Sequence, residues 1–189
     1  HLEGIRKLVE KHDRQMQFWA DVLLEEPENA KLLPTSASPV IWGYEADHPF
    51  DEQAEIIASC GLSFCLAPGT ATWRSFGGRW PTARQNLANA FRNAFKYGAD
   101  GTLLTSWGDC GNHQTWPSFY PSLFLAAQWA WSGEDGTDEE IDQALNQLVF
   151  HGSNTHPGKV LMEFGNLDHT INSQIPNASL AWNLLFGSQ

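Results

Sequence analysis

Basic residues are scarce in this 189-residue chain. Eleven lysines and arginines stand against 22 aspartates and glutamates, a formal net charge of −11. A surface of that sign repels phosphate backbones, so nucleic acid is not the expected partner. Long apolar runs are missing too. No uninterrupted stretch approaches the roughly 18 residues of a spanning helix, so no membrane span is expected. His1-Leu2-Glu3-Gly4 is not followed by the apolar core of a signal peptide. Cysteine is rare: Cys60, Cys65 and Cys110 are odd in number and show no metal-ligand spacing. Cys65 lies in an apolar run and reads as a buried free thiol, which favours a reducing, cytoplasmic compartment.

Other signatures are absent. His48, His113, His151, His156 and His169 form no pair at metal-binding spacing, so neither a metal nor any other cofactor is expected. No G-x-S-x-G elbow supports serine hydrolase chemistry. No glycine-rich phosphate loop follows any strand, which counts against a dinucleotide-binding domain.

Aromatic residues are abundant. Nine tryptophans accompany a chain that is 42% hydrophobic, enough for one domain with a sizeable core. Composition alone assigns most indoles to that core. A surplus also suits stacking on sugar rings, whose C–H faces are apolar.

Along the chain a unit recurs: helix, short apolar strand, aromatic or acidic residue, turn. Apolar spacing predicts a helix over 2–13, then a strand Met16–Trp19 and a short helix near Glu28–Leu32. A strand Pro39–Trp42 precedes a helix over Glu52–Ser59, capped by Asp51 and stopped by Gly61. A strand Leu62–Ala67, a helix Thr82–Tyr97 ended by Gly98, and a strand Thr102–Ser106 follow. A helix over Tyr120–Trp131 completes the pattern. Beyond Gly133, Thr137 and Glu140 read as a capping box opening a helix to about Val149, and residues 156–189 read as helical without a strand.

Strands alternating with helices imply βαβ units and a parallel sheet covered on both faces. Four units fit half of a (β/α)8 barrel, or a small open doubly wound sheet. A complete barrel needs about 250 residues, more than this chain offers.

Position points to chemistry. Trp19 with Asp21, then Trp42, Tyr44 and Glu45, then Trp73, and finally Trp107 with Asp109 all follow predicted strand ends. In parallel barrels, those ends build the active site. Each indole reads either as barrel packing or as a sugar platform. Each carboxylate reads either as a helix cap or as an acceptor for hydroxyls. Asp109 lies in Trp-Gly-Asp-Cys-Gly, where the backbone bends sharply. Asp21 sits among apolar neighbours, where an unpaired buried charge would cost several kcal/mol, so it requires a partner. His113 and Gln114 either line the same pocket or are solvated loop residues.

The segments FWADVLL, IWGYEADHPF, FCLAPGTATW, GGRWPTARQNLANAF and YGADGTLLTSWGDCGNHQ together resemble successive strand-and-loop motifs of the family 20 glycoside hydrolases. They are most similar to a bacterial branch with an APG-(T/S)-x-x-W and a T-x-W-G-D-x-G segment. The resemblance spans about residues 1–132, and 133–189 would be a helical extension packed on the barrel. It implies a (β/α)8 fold and hydrolysis of terminal β-linked N-acetylhexosamines, with the substrate's acetamido oxygen attacking the anomeric carbon. Taken with the reducing compartment read from the cysteines, the bacterial branch makes a bacterial, cytoplasmic protein the expectation.

In the family an Asp orients that acetamido group and a neighbouring Glu is the general acid, both after the fourth strand. This chain reads as beginning in the helix after that strand, so the pair has no counterpart. By the same resemblance Trp107 forms the pocket wall and Asp109 binds sugar hydroxyls. Trp19, Asp21, Trp42, Tyr44 and Trp73 line the remainder, with Tyr44 a candidate donor to the acetamido group. Ser106 and Cys110 depart from the Asp and Asn of this branch, which bears on substrate preference.

Three functional expectations follow. The chain is the sugar-binding part of a glycosidase whose first half lies elsewhere. Or it is a half-barrel that closes as a homodimer and uses its own acids, Asp21, Glu45 and Asp109. Or it is a non-catalytic carbohydrate-binding domain.

Overall fold

The computed structural model describes residues 2–152, 155–170 and 175–187. Among them the chain is an α/β protein with a four-stranded parallel sheet whose strands lie in chain order. Packing divides the chain into two compact units. One comprises His1–Gly43, Pro49–Ala67 and Ala90–Leu103; the other comprises Tyr44–His48, Pro68–Asn89 and Leu104–Gln189.

The first unit holds the sheet: β1 (Met16–Trp19), β2 (Ala37–Trp42), β3 (Cys65–Ala67) and β4 (Gly101–Thr102). Around it run α1 (Leu2–Glu10), α2 (Asp21–Glu25), a 3-10 segment Pro27–Leu32, α3 (Phe50–Ser59) and the later part of α4 (Trp80–Tyr97). The core gathers Ala20, Leu23, Ile41, Phe50, Ile57, Phe64, Leu66 and Ala90, with Phe18 packed against it. In-register pairing places Trp19 beside Val40, on the face opposite Ile41. Trp42, two residues after Val40, shares that face.

Several elements depart from the sequence expectations for identifiable reasons. Helix α1 stops at Glu10, and the chain turns at Asp13 with φ 53°. Strand β2 starts at Ala37, ahead of Pro39. The ladder with β3 begins only at Val40, so the missing proline amide falls outside it. Helix α3 starts at Phe50 rather than after an Asp51 cap, because the Phe50 ring is completely buried and must enter the core. Asp51 instead accepts hydrogen bonds from Lys96 Nζ (2.6 Å) and Tyr97 Oη (2.9 Å), which hold its carboxyl below the usual range. Strand β3 begins at Cys65, and Cys65 is half-buried rather than buried. Gly61 and Gly98 end α3 and α4 in left-handed conformation, as expected.

The second unit contains the start of α4, α5 (Tyr120–Ser132), α6 (Asp138–Leu148), α7 (Pro157–Gly165), α8 (Leu167–Thr170) and α9 (Leu180–Phe186). Thr137 and Glu140 form the expected capping box at α6. Arg84 of α4 grips the approach to α6 through Asp138 (3.0 Å) and the Gly136 carbonyl (2.6 Å). Asp142 of α6 accepts from the Lys159 amide (2.9 Å) and His156 Nδ1 (2.7 Å), capping α7 from outside its own chain segment. Burial pushes this carboxyl up, but those hydrogen bonds outweigh it and hold it below the usual range. The strand expected over Thr102–Ser106 is divided: β4 ends at Thr102, and within the second unit Thr105 makes a single parallel bridge to Gly69. Among the described residues no helix is long and apolar enough to cross a membrane.

Candidate functional site

The residues singled out from the sequence fall into two groups. Trp19, Asp21 and Trp42 belong to the first unit, and Tyr44, Glu45, Trp73, Trp107 and Asp109 to the second.

In the first group, Asp21 is exposed at the opening of α2, so the anticipated desolvation cost does not arise. It accepts a hydrogen bond from the Trp42 indole Nε1 at 3.4 Å. Trp19 and Trp42 are each about 40% exposed, large indoles that the core does not absorb.

The second group is tighter. Tyr44 packs edge-on against Trp73 with ring centroids 5.0 Å apart, and against Trp107 at 6.3 Å. Trp73 is buried to 1% exposure and is the floor of this corner, whereas Trp107 is 37% exposed. Glycine at position 69 is required: a Cβ there would stand 2.6 Å from the Trp73 ring and 2.9 Å from Tyr44. The Gly69 amide donates to Asn86 Oδ1 at 3.0 Å, and Asn86 Nδ2 donates to the Glu45 carbonyl at 2.8 Å. Asn86 is completely buried, so one amide side chain fixes the segments on which Gly69 and Glu45 stand.

Burial pushes the Tyr44 phenol above its ordinary pKa. Hydrogen bonds with Trp107 and Thr105 oppose that rise, and the Asp109 charge adds to it. The phenol is therefore a neutral hydrogen-bonding group at any physiological pH, with Asp109 close enough to influence it. The folded state favours the protonated phenol, so its stabilisation is complete below the unfolded value near pH 10 and is lost as pH rises through the folded value. In an alkaline absorbance titration, Tyr44 should ionise late, above the ordinary tyrosine range. Tyr44→Phe should remove that late step; a late step that survives the substitution would refute the assignment.

Around the corner, Thr70, Thr72 and Ser106 form a chain of hydroxyls at 2.9 and 3.3 Å. Ser106 thus has a partner suited to a hydroxyl. After Trp107 the backbone bends as anticipated: Cys110, Gly111 and Asn112 all have positive φ. Asp109 and the free thiol of Cys110 are exposed there. Gln114 donates to the Trp107 carbonyl at 2.8 Å and is buried, so it is not a solvated loop residue.

Glu45 is held differently. Both its carboxylate oxygens accept from Arg79 Nη1 (3.1 and 3.0 Å), and Oε1 also accepts from the Asn177 amide (2.8 Å). The Arg79 side chain is 7% exposed and that of Glu45 35%. The pair borders a cavity of about 280 Å³ that Asp47, Thr82, His169 and Ile175 also line. Arg79 and Asn86 are the site-building residues that sequence reasoning passed over. Their signal was polarity out of place: an arginine between Gly78 and Trp80, and an asparagine on the apolar face of α4.

The second group therefore offers a half-exposed indole, a neutral phenol and an exposed carboxylate on adjoining segments. An apolar plane beside hydrogen-bonding groups of both kinds is the chemistry that a pyranose presents in complement. Among the described residues, no cluster of three histidine, cysteine, aspartate or glutamate side chains could hold a metal ion. Compared with models of known protein families and with curated proteins, the chain matches none.

Proposed function

We propose that this chain supplies the sugar-binding wall of a glycoside hydrolase acting on terminal β-linked N-acetylhexosamines, built on half of a (β/α)8 barrel. The observation that carries this reading is the cluster of Tyr44, Trp73, Trp107 and Asp109. Its members follow β2, β3 and β4 in the chain, in keeping with the rule that strand ends of parallel α/β sheets carry the site. The in-order parallel sheet is compatible with half of such a barrel. The resemblance to family 20 motifs supplies the substrate class.

In this reading Trp107 presents its face to the pyranose, Asp109 accepts from ring hydroxyls, and Tyr44 donates to the acetamido group. Trp73 is the buried support beneath them. Glu45 is committed to Arg79, which leaves Asp109 as the exposed acid beside the aromatic corner.

Binding of N-acetylglucosamine, followed by intrinsic tryptophan fluorescence, tests the reading. Trp107→Ala should weaken it about tenfold, the equivalent of ~1.4 kcal/mol of stacking. A chromogenic β-N-acetylglucosaminide is assayed on the same samples, with mass measured by light scattering. Binding without turnover is the result expected of a chain that supplies only the sugar-binding wall, whether of a larger enzyme or of a non-catalytic domain. Turnover by a dimer would establish a self-closed barrel with its own acids. A wild-type chain that neither binds nor cleaves N-acetylhexosamines overturns the proposal.

A further inference from the structure

Residues 106–113, which carry Trp107 and Asp109, are exposed without interruption. Two of them, Cys110 (φ 55°) and Asn112 (φ 56°), are non-glycine residues in left-handed conformation. Such backbone costs of order 1 kcal/mol per residue and persists only where its surroundings determine it. The candidate sugar-binding residues thus stand on a strained, exposed segment that needs an anchor.

Helix α9 holds the end of this segment. Trp182 Nε1 donates to His113 Nδ1 at 3.0 Å, and the His113 ring stacks on Phe186 at 4.5 Å with 9° between planes. An indole nitrogen only donates, so His113 Nδ1 accepts and its proton resides on Nε2. Trp182 and Phe186 are four residues apart on one helix face, while Leu184 and Leu185 are mostly exposed. Trp182 is itself fixed: it is 2% exposed, and the Arg74 guanidinium lies 4.7 Å above its ring. The Ser179 amide donates to the Arg74 carbonyl at 2.9 Å, and Ser179 Oγ caps the helix by accepting from the Trp182 amide. Arg74 lies next to Trp73, so the clamp reaches the segment that carries the floor of the aromatic corner.

We infer that α9 is a positioning element of the sugar site, with Trp182 and His113 as positioning residues that hold Trp107 and Asp109 in their binding arrangement. The inference rests on the reading of that corner as a sugar site and gives the distal part of the chain a role in it.

Three variants of the full chain test it. His113→Phe keeps the stack on Phe186 but leaves the Trp182 indole N–H without an acceptor. His113→Asn restores an acceptor at the same position. Trp182→Phe removes the donor. N-acetylglucosamine affinity should fall five- to tenfold in His113→Phe and Trp182→Phe at temperatures where both remain folded by circular dichroism. It should return to within twofold of wild type in His113→Asn.

The Trp107 indole N–H resonance, recorded without sugar, supplies a readout independent of binding. It should shift or broaden in His113→Phe and recover in His113→Asn. Wild-type affinity and an unchanged Trp107 resonance in His113→Phe would overturn the inference, even if the melting temperature drops. So would an asparagine variant that behaves like the phenylalanine one. If wild type binds no sugar, the functional reading fails, and the Trp107 resonance still decides whether α9 orders the segment.

Discussion

Trp73→Ala should cost about 3–5 kcal/mol of stability, the range for removing a fully buried tryptophan. For a chain of this size that lowers the melting temperature by roughly 6–20 °C. Trp73 is 1% exposed, its ring lies against Gly69, and Tyr44 packs on its edge. Removing it leaves a cavity beneath the phenol that the surrounding backbone cannot fill without disturbing the Gly69–Asn86 bond. The matching experiment on Trp107, 37% exposed, should cost less than about 1 kcal/mol, because most surface truncations do. The two tryptophans thus separate support from contact. Thermal melts of both variants check it, and a Trp107 variant destabilised as much as the Trp73 variant would show that both indoles belong to the core.

Glu45→Ala should destabilise by about 3 kcal/mol, since it strips the counterion from a guanidinium that is 7% exposed. Water reaching Glu45, whose side chain is 35% exposed, places the figure at the low end of the range for buried pairs. Glu45→Gln should lose less than half as much, because an amide oxygen still accepts from Arg79 or the Asn177 amide. Urea denaturation with unchanged slope would read both values. A Glu45→Ala chain of wild-type stability would show that Glu45 is not a structural group, reversing the assignment drawn from its hydrogen bonds.

The parts of the fold legible in the sequence are those with local causes. The capping box of α6 is written in Thr137 and Glu140, three residues apart. The ends of α3 and α4 are written in Gly61 and Gly98, which adopt the left-handed conformation that other residues resist. Strand β1 is a short apolar-aromatic run whose ends match the reading, Met16 to Trp19. The aromatic corner was legible as a list, since Tyr44, Trp73 and Trp107 each follow a strand.

Elements set by distant partners were not legible. Helix α2 was missed because five residues carry too little periodicity to register. The start of α3 depends on Phe50 entering the core, so the nearer capping signal of Asp51 was misleading. Strand β4 is short because pairing with β3 covers only Gly101 and Thr102, which the apolar run through Leu104 does not reveal.

Of this protein, then, the sequence by itself determined the acidic charge, the alternation of strands and helices, and the identity of the aromatic and acidic residues at strand ends. Those features depend on composition or on neighbours within a few positions. Only the tertiary structure decided their roles: that Glu45 belongs to Arg79, that Asp21 is exposed, that Trp73 supports while Trp107 is presented, and that His113 meets Trp182 across 69 positions. Burial and long-range hydrogen bonds arise when distant segments meet, and no local periodicity encodes which segments those are.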